Sequence, residues 1–182
     1  MSERIQQRRN SALMYEIKPE MWKGINEIRT YYPFYETGPH LPFEVCIIKL
    51  PPNHTQSWYS HKTVEETIIP ICGQVNIFIK GQDDKVEKTQ LPKSTMFDLE
   101  SESIVAVSVI DDGTVSFIVE DKKSGKMRSF DIQYDEGTHS ERTIHTLQNH
   151  SEQSAVVVVV KTTTEEDLAR NPRIFREDRE SH

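Results

Sequence analysis

Residues Pro51 to Gly73 read PPNHTQSWYSHKTVEETIIPICG, a stretch that sets ligand-type side chains between two strand-like runs. Thr55, Ser57, Tyr59 and His61 share one parity, so in an extended chain all four project from the same face of a sheet. Glu66 then precedes Thr67 to Cys72, a β-rich run stopped by Gly73. Two strands meeting at a turn over Lys62 to Glu65 bring His61 and Glu66 together. Glu65 is the alternative carboxylate if the turn is one residue shorter. A histidine and a carboxylate converging inside an apolar barrel are the start of a metal site.

Outward from this stretch, β signals recur at short spacing. Phe43 to Leu50 is a strand closed by Pro51-Pro52-Asn53, and Gln74 to Lys80 alternates as a half-buried strand ending at the turn Gly81 to Lys85. Val86 to Leu91, Thr95 to Leu99, Ile104 to Ile110, Thr114 to Glu120, Lys126 to Gln133, Arg142 to Leu147 and Ala155 to Lys161 carry further β-branched or aromatic residues. The run Val156 to Val160 suits a strand buried on both faces. Many short strands with frequent turn signals and no alternating helices predict an all-β fold, an antiparallel sandwich, jelly roll or barrel.

The ends read differently. Weak periodicity allows a helix from Glu3 to about Tyr15, and Glu20 to Pro42 reads as an irregular segment pinned by Trp22, Tyr31, Tyr32, Phe34 and Tyr35. Thr162 with Glu165, or Thr163 with Glu166, forms a capping box opening a short helix that Asn171-Pro172 ends. The mixed-charge stretch Arg176 to His182 reads as disordered at its end. The expected organisation is an N-terminal arm and aromatic segment over 1–42, a β-barrel over 43–161, and a C-terminal helix and charged tail over 162–182.

With 182 residues the chain holds one domain of substantial core. Its formal net charge of −7 and the absence of a basic stripe interleaved with aromatics argue against a nucleic-acid partner. No run approaches a membrane span, so a cytoplasmic location is expected. Cys46 and Cys72 both lie in apolar strand-like runs, where a thiol stays protonated, and read as small buried hydrophobes. His54, His139 and His150 flank polar turns and are expected to be exposed, His40 belongs to the aromatic segment, and Trp58 is placed outside the barrel or at a subunit contact.

Asn53, Tyr59-Ser60-His61, Glu66 and Gly73 together resemble the first motif of the cupin superfamily, G-x5-H-x-H-x3-4-E-x6-G. His61, Glu66 and Gly73 fall on motif positions; Asn53 stands at the glycine position and Tyr59 at the first metal-binding histidine. The second motif, G-x5-P-x-G-x2-H-x3-N, is matched by His145 and Asn149, with Tyr134, Ser140 and Arg142 at its other fixed positions. A second register over Ser94 to Val109 puts Val105 at the histidine position and leaves no ligand. The preferred register separates Gly73 from Tyr134 by about 60 residues, which requires an inserted hairpin between Thr95 and Gln133.

The resemblance, over Phe43 to Lys161, implies a small cupin-like antiparallel β-barrel with His61, Glu66 and His145 turned inward around a divalent ion. Such a set suits Fe(II), Mn(II), Ni(II) or Zn(II) and leaves positions open for substrate, water or O2. Tyr59 shares the inward parity and is the candidate catalytic residue, orienting substrate or shuttling a proton. Ser57, Thr55 and Asn149 are candidate hydrogen-bond partners for the ligating imidazoles. The implied activity is that of a metal-dependent enzyme of dioxygenase type on a small polar molecule, with a homodimer expected by analogy. Two other readings remain: a metal-free binding module for a sugar or organic acid, and a scaffold acting through sheet edges and aromatic segment.

Overall fold

The computed structural model describes residues 6–8, 12–16, 29–31, 43–110, 114–133, 138–139 and 143–182. In chain order the first strands are β1 (Gln6–Arg8), β2 (Ala12–Glu16), β3 (Arg29–Tyr31), β4 (Phe43–Leu50), β5 (His54–Thr55), β6 (Tyr59–His61), β7 (Glu65–Cys72) and β8 (Asn76–Lys80). Next come β9 (Val86–Gln90), β10 (Glu102–Ile110), β11 (Thr114–Asp121), β12 (Met127–Gln133), β13 (Thr138–His139), β14 (Ile144–Asn149) and β15 (Ala155–Thr162). Two short helices, α1 (Glu165–Arg170) and α2 (Ile174–Glu177), and a last strand β16 (Arg179–Ser181) follow. Every pairing between these strands is antiparallel, as expected for an all-β antiparallel fold.

Among the described residues the strands form three sheets, ordered β1-β2-β10-β11-β12, β13-β7-β15-β4-β3 and β16-β6-β14-β8-β9. The second sheet lies between the other two, and the valine strand β15 runs through its middle. Val157 and Val159 pack with Ile48, Leu50, Ile68, Ile77 and Leu147 towards the third sheet, filling the barrel. Val156, Val158 and Val160 point the opposite way and pack with Val107, Phe117 and Ile132 of the first sheet. All five valines are buried, as the run predicts, and each contributes about 1.5–3 kcal/mol by leaving water. Between Thr95 and Gln133 the chain includes the expected hairpin and one strand more. β10, β11 and β12 form a meander, joined by β1 and β2, that covers the back of the barrel.

Several local expectations change. The helix over Glu3 to Tyr15 is replaced by β1 and β2, because β2 can complete the ladder of β10 and tertiary pairing outweighs weak helical periodicity. Thr95 to Leu99 is not a strand: the Asp98 carboxylate accepts hydrogen bonds from Glu100 N–H and the Ser101 hydroxyl, holding a turn. The helix cap is Thr164, whose Oγ1 accepts from Asp167 N–H at 3.0 Å, one position beyond the expected box. Apart from Arg29–Tyr31, the aromatic segment 20–42 lies outside the described residues.

The turn before the site explains one motif departure. Asn53, where the resembled motif has glycine, has φ +52°, and asparagine is among the few non-glycine residues that enter this left-handed region readily. Gly73 has φ +78°, and a Cβ there would meet Ala155 Cβ at 3.0 Å and its Cα at 3.2 Å. Gly73→Ala is expected to cost about 1–3 kcal/mol from backbone strain, before any clash with β15. Thermal unfolding checks this, at roughly 2–4 °C per kcal/mol for a chain of this size.

Candidate functional site

The site lies between the two sheets that form the barrel. On one wall Tyr59 of β6 stands directly opposite His145 of β14, with their ring centroids 4.3 Å apart. His61 follows two residues along β6 on the same face, and its ring meets Tyr59 edge-on at 5.8 Å. On the facing wall Glu66 of β7 receives both imidazoles: His61 Nε2 is 3.0 Å from Oε1 and His145 Nε2 is 3.0 Å from Oε2. The structure thus brings His61, Glu66, His145 and Tyr59 together, each 3% exposed or less.

Glu65, the alternative carboxylate, is exposed, because the strand alternation after the turn sends Glu66 inward. Thr55 and Ser57 are also exposed: the extended chain breaks between β5 and β6, and the shared parity does not extend across the break. Asn149 is buried but bonds to backbone carbonyls and to Ser151 rather than to either imidazole. The other nitrogen of His145 has a different acceptor, with Nδ1 2.8 Å from the Thr143 carbonyl. His54 is half-buried rather than exposed, His150 is exposed as expected, and the His40 and His139 side chains lie outside the described residues. Cys46 and Cys72 are free thiols, and burial pushes Cys46 well above its ordinary value.

Three charged residues that the sequence reading passed over complete the site. Lys161 of β15 is the cross-strand neighbour of Glu44 on one side and Glu66 on the other, and its Nζ is 3.5 Å from Glu66 Oε1. Glu44, Lys161 and Glu66 form a row across the middle sheet, each 5% exposed or less. Their signal was parity: Glu44 alternates in phase with Cys46 and Ile48, and Lys161 with Val157 and Val159, so both face the barrel core. The third is Asp178, whose Oδ2 lies 3.7 Å from His61 Nδ1. It comes from the mixed-charge tail; the end of that tail, expected to be disordered, instead pairs with β6 through β16.

The electrostatics follow from this packing. Burial alone would raise the Glu66 carboxyl, but the hydrogen bonds from His145 and His61 and the Lys161 ammonium overcome it and hold the group well below the usual carboxylate range. Both neighbours of His145 are acceptors. The arrangement therefore needs a proton on each ring nitrogen, or a cation in place of the Nε2 proton. Three carboxylates, Glu44, Glu66 and Asp178, converge on this region beside the Lys161 ammonium. Two imidazoles, a carboxylate and an excess of buried negative charge fit a divalent first-row metal ion in kind. The 3.0 Å contacts are hydrogen-bond distances, and no group of three such side chains among the described residues stands at metal-holding spacing.

No family model matches the chain, and no curated protein matches it in sequence. Solved structures do. The capsular polysaccharide assembling protein CapF from Staphylococcus aureus superposes with a TM-score of 0.44 and 12% identity, over 78% of this chain and 28% of that one. An oxalate oxidase gives 0.40 and 14%, over 86% and 53%, and the protein TT1209 from Thermus thermophilus gives 0.42 and 14%, over 81% and 97%. The chain thus spans less than two thirds of the first two. Among the described residues no helix is long and apolar enough to cross a membrane.

Proposed function

We propose that this protein is a cupin-like, metal-dependent enzyme acting on a small polar molecule, with oxidative chemistry of the dioxygenase type as its reaction class. The observation that carries the reading is the convergence of His61 and His145, through Nε2, on the two oxygens of one buried carboxylate. His61, Glu66 and His145 would hold the ion, which when bound supplies Lewis acidity and an O2 site. The Thr143 carbonyl keeps the His145 ring turned so that Nε2 faces Glu66. Tyr59, packed against both imidazoles where the cupin motif has another histidine, is the residue placed to orient substrate or hold a proton.

Elemental analysis of protein purified without chelators tests this, with His61→Ala and His145→Ala beside the wild type. Near-stoichiometric metal in the wild type, lost in both variants, is expected. A wild type that is metal-free and takes up none of Fe(II), Mn(II), Ni(II) or Zn(II) overturns it. One observation favours a second reading, a metal-free module for a sugar or organic acid: the Lys161 ammonium already provides a positive charge beside Glu66.

A further inference from the structure

The C-terminal segment is fastened to the β6–β7 turn, Lys62 to Val64, on the path from His61 to Glu66. One Asp178 oxygen, Oδ2, accepts from the backbone N–H groups of Thr63 and Val64, each at 3.0 Å, and Oδ1 accepts from the Thr63 hydroxyl at 2.8 Å. Val64 is buried in the same turn against Leu168, Ile174 and Phe175 of the two helices. Beyond Asp178, β16 pairs with β6 so that Arg179 stands opposite His61 and Ser181 opposite Tyr59. Lys62 with Glu180, and Ser60 with His182, add side-chain contacts.

Within this frame His61 Nδ1 is buried and makes no hydrogen bond, and Asp178 Oδ2 faces it at 3.7 Å. From this geometry we propose that Asp178 is a positioning residue: it holds the His61 ring so that Nε2 faces Glu66, and the barrel site is complete only with the C-terminal segment docked. A carboxylate held by three donors is fixed in place, and a movement of the His61 ring by about half an ångström brings Nδ1 into hydrogen-bond range of it. A group that orients a ligating imidazole in this way typically accounts for 10–100-fold in metal affinity.

The inference rests on the reading of His61 as a site residue, and its primary test needs no metal. Long-range 15N–1H spectra of the metal-free protein should show a proton on His61 Nδ1 in the wild type. That proton signature should shift in Asp178→Ala, be retained in Asp178→Glu, and weaken in Thr63→Val, which removes only the hydroxyl that fixes Asp178. The His145 signals serve as the internal fold control. Where the wild type takes up Zn(II), Asp178→Ala should bind it about 10–100-fold more weakly. A wild-type Nδ1 without a proton, or a His61 signature unchanged in a folded Asp178→Ala, overturns the proposal whether or not the protein binds metal. Failure of the wild type to bind any metal instead overturns only the enzymatic reading.

Discussion

Lys161→Met is expected to lower the stability of the metal-free protein by about 3–5 kcal/mol, the usual cost of removing one partner from a buried ionic network. The physical reason is the row across the middle sheet. Lys161 stands between Glu44 and Glu66 in register, and all three are buried beneath the barrel's apolar core. Taking away the ammonium leaves two carboxylates as neighbours once removed, both shielded from bulk solvent. Adding Glu44→Gln in the same background should restore a large part of the loss, because one of the two facing charges goes with it. Urea denaturation of the single and double variants gives the coupling directly.

The same substitution has the opposite sign for a divalent ion. An ammonium 3.5 Å from Glu66 repels any cation that Glu66 would hold. At an effective dielectric near 20, two unit charges about 4 Å apart interact by about 4 kcal/mol, so metal affinity in Lys161→Met should rise about tenfold or more even after relaxation. Titration calorimetry with Zn(II) at neutral pH reads this. A stability loss below about 1 kcal/mol would show that Lys161 is not the counter-charge of the row. A stability loss with no gain in metal affinity would favour the metal-free module, in which Lys161 is a permanent part of the site.

The all-β fold and half of the candidate site could be read from the sequence because both depend on short-range order. His61 and Glu66 are joined by four residues, so any tight antiparallel turn brings them together, and strand alternation decides between Glu65 and Glu66. His145 required the motif spacing, since β14 reaches β6 only through the third sheet. Asp178 was out of reach: it meets Thr63 across 115 positions, and nothing in a mixed-charge tail marks it as a strand partner. Glu44 and Lys161 carried a legible parity, but a charge at the end of an apolar strand usually reads as its exit to solvent. The middle position of β15 explains the difference. Lys161 is the last buried residue of that strand, with half-buried Thr162 after it, and it points into the barrel, where His61 and His145 close over its neighbour Glu66.

Asn149→Leu is expected to cost about 3–5 kcal/mol for a different reason, and to leave the ligand set intact. Its amide nitrogen donates to the carbonyls of Leu50 at 3.1 Å, Pro51 at 3.0 Å and Gln153 at 2.7 Å, so two hydrogens serve three acceptors. Its oxygen accepts from the N–H and hydroxyl of Ser151, and Ser151 in turn accepts through its carbonyl from Asn53 N–H. One side chain therefore ties the end of β4, the left-handed turn at Asn53 and the β14–β15 turn. Leucine fills a similar volume but provides no donor. Gln153 keeps the Ser151 hydroxyl as a partner, whereas the carbonyls of Leu50 and Pro51 lose this donor, at about 1–3 kcal/mol for each that is left unsatisfied. The melting temperature should fall by on the order of 10 °C, given roughly 2–4 °C per kcal/mol. Zn(II) affinity of the folded variant should change by less than about threefold, because His145 is held by Thr143 and by pairing with Tyr59, upstream of the clip. A variant that melts like the wild type would show that the turns hold without the clip, and a variant that keeps its fold but loses metal would place Asn149 in the site after all.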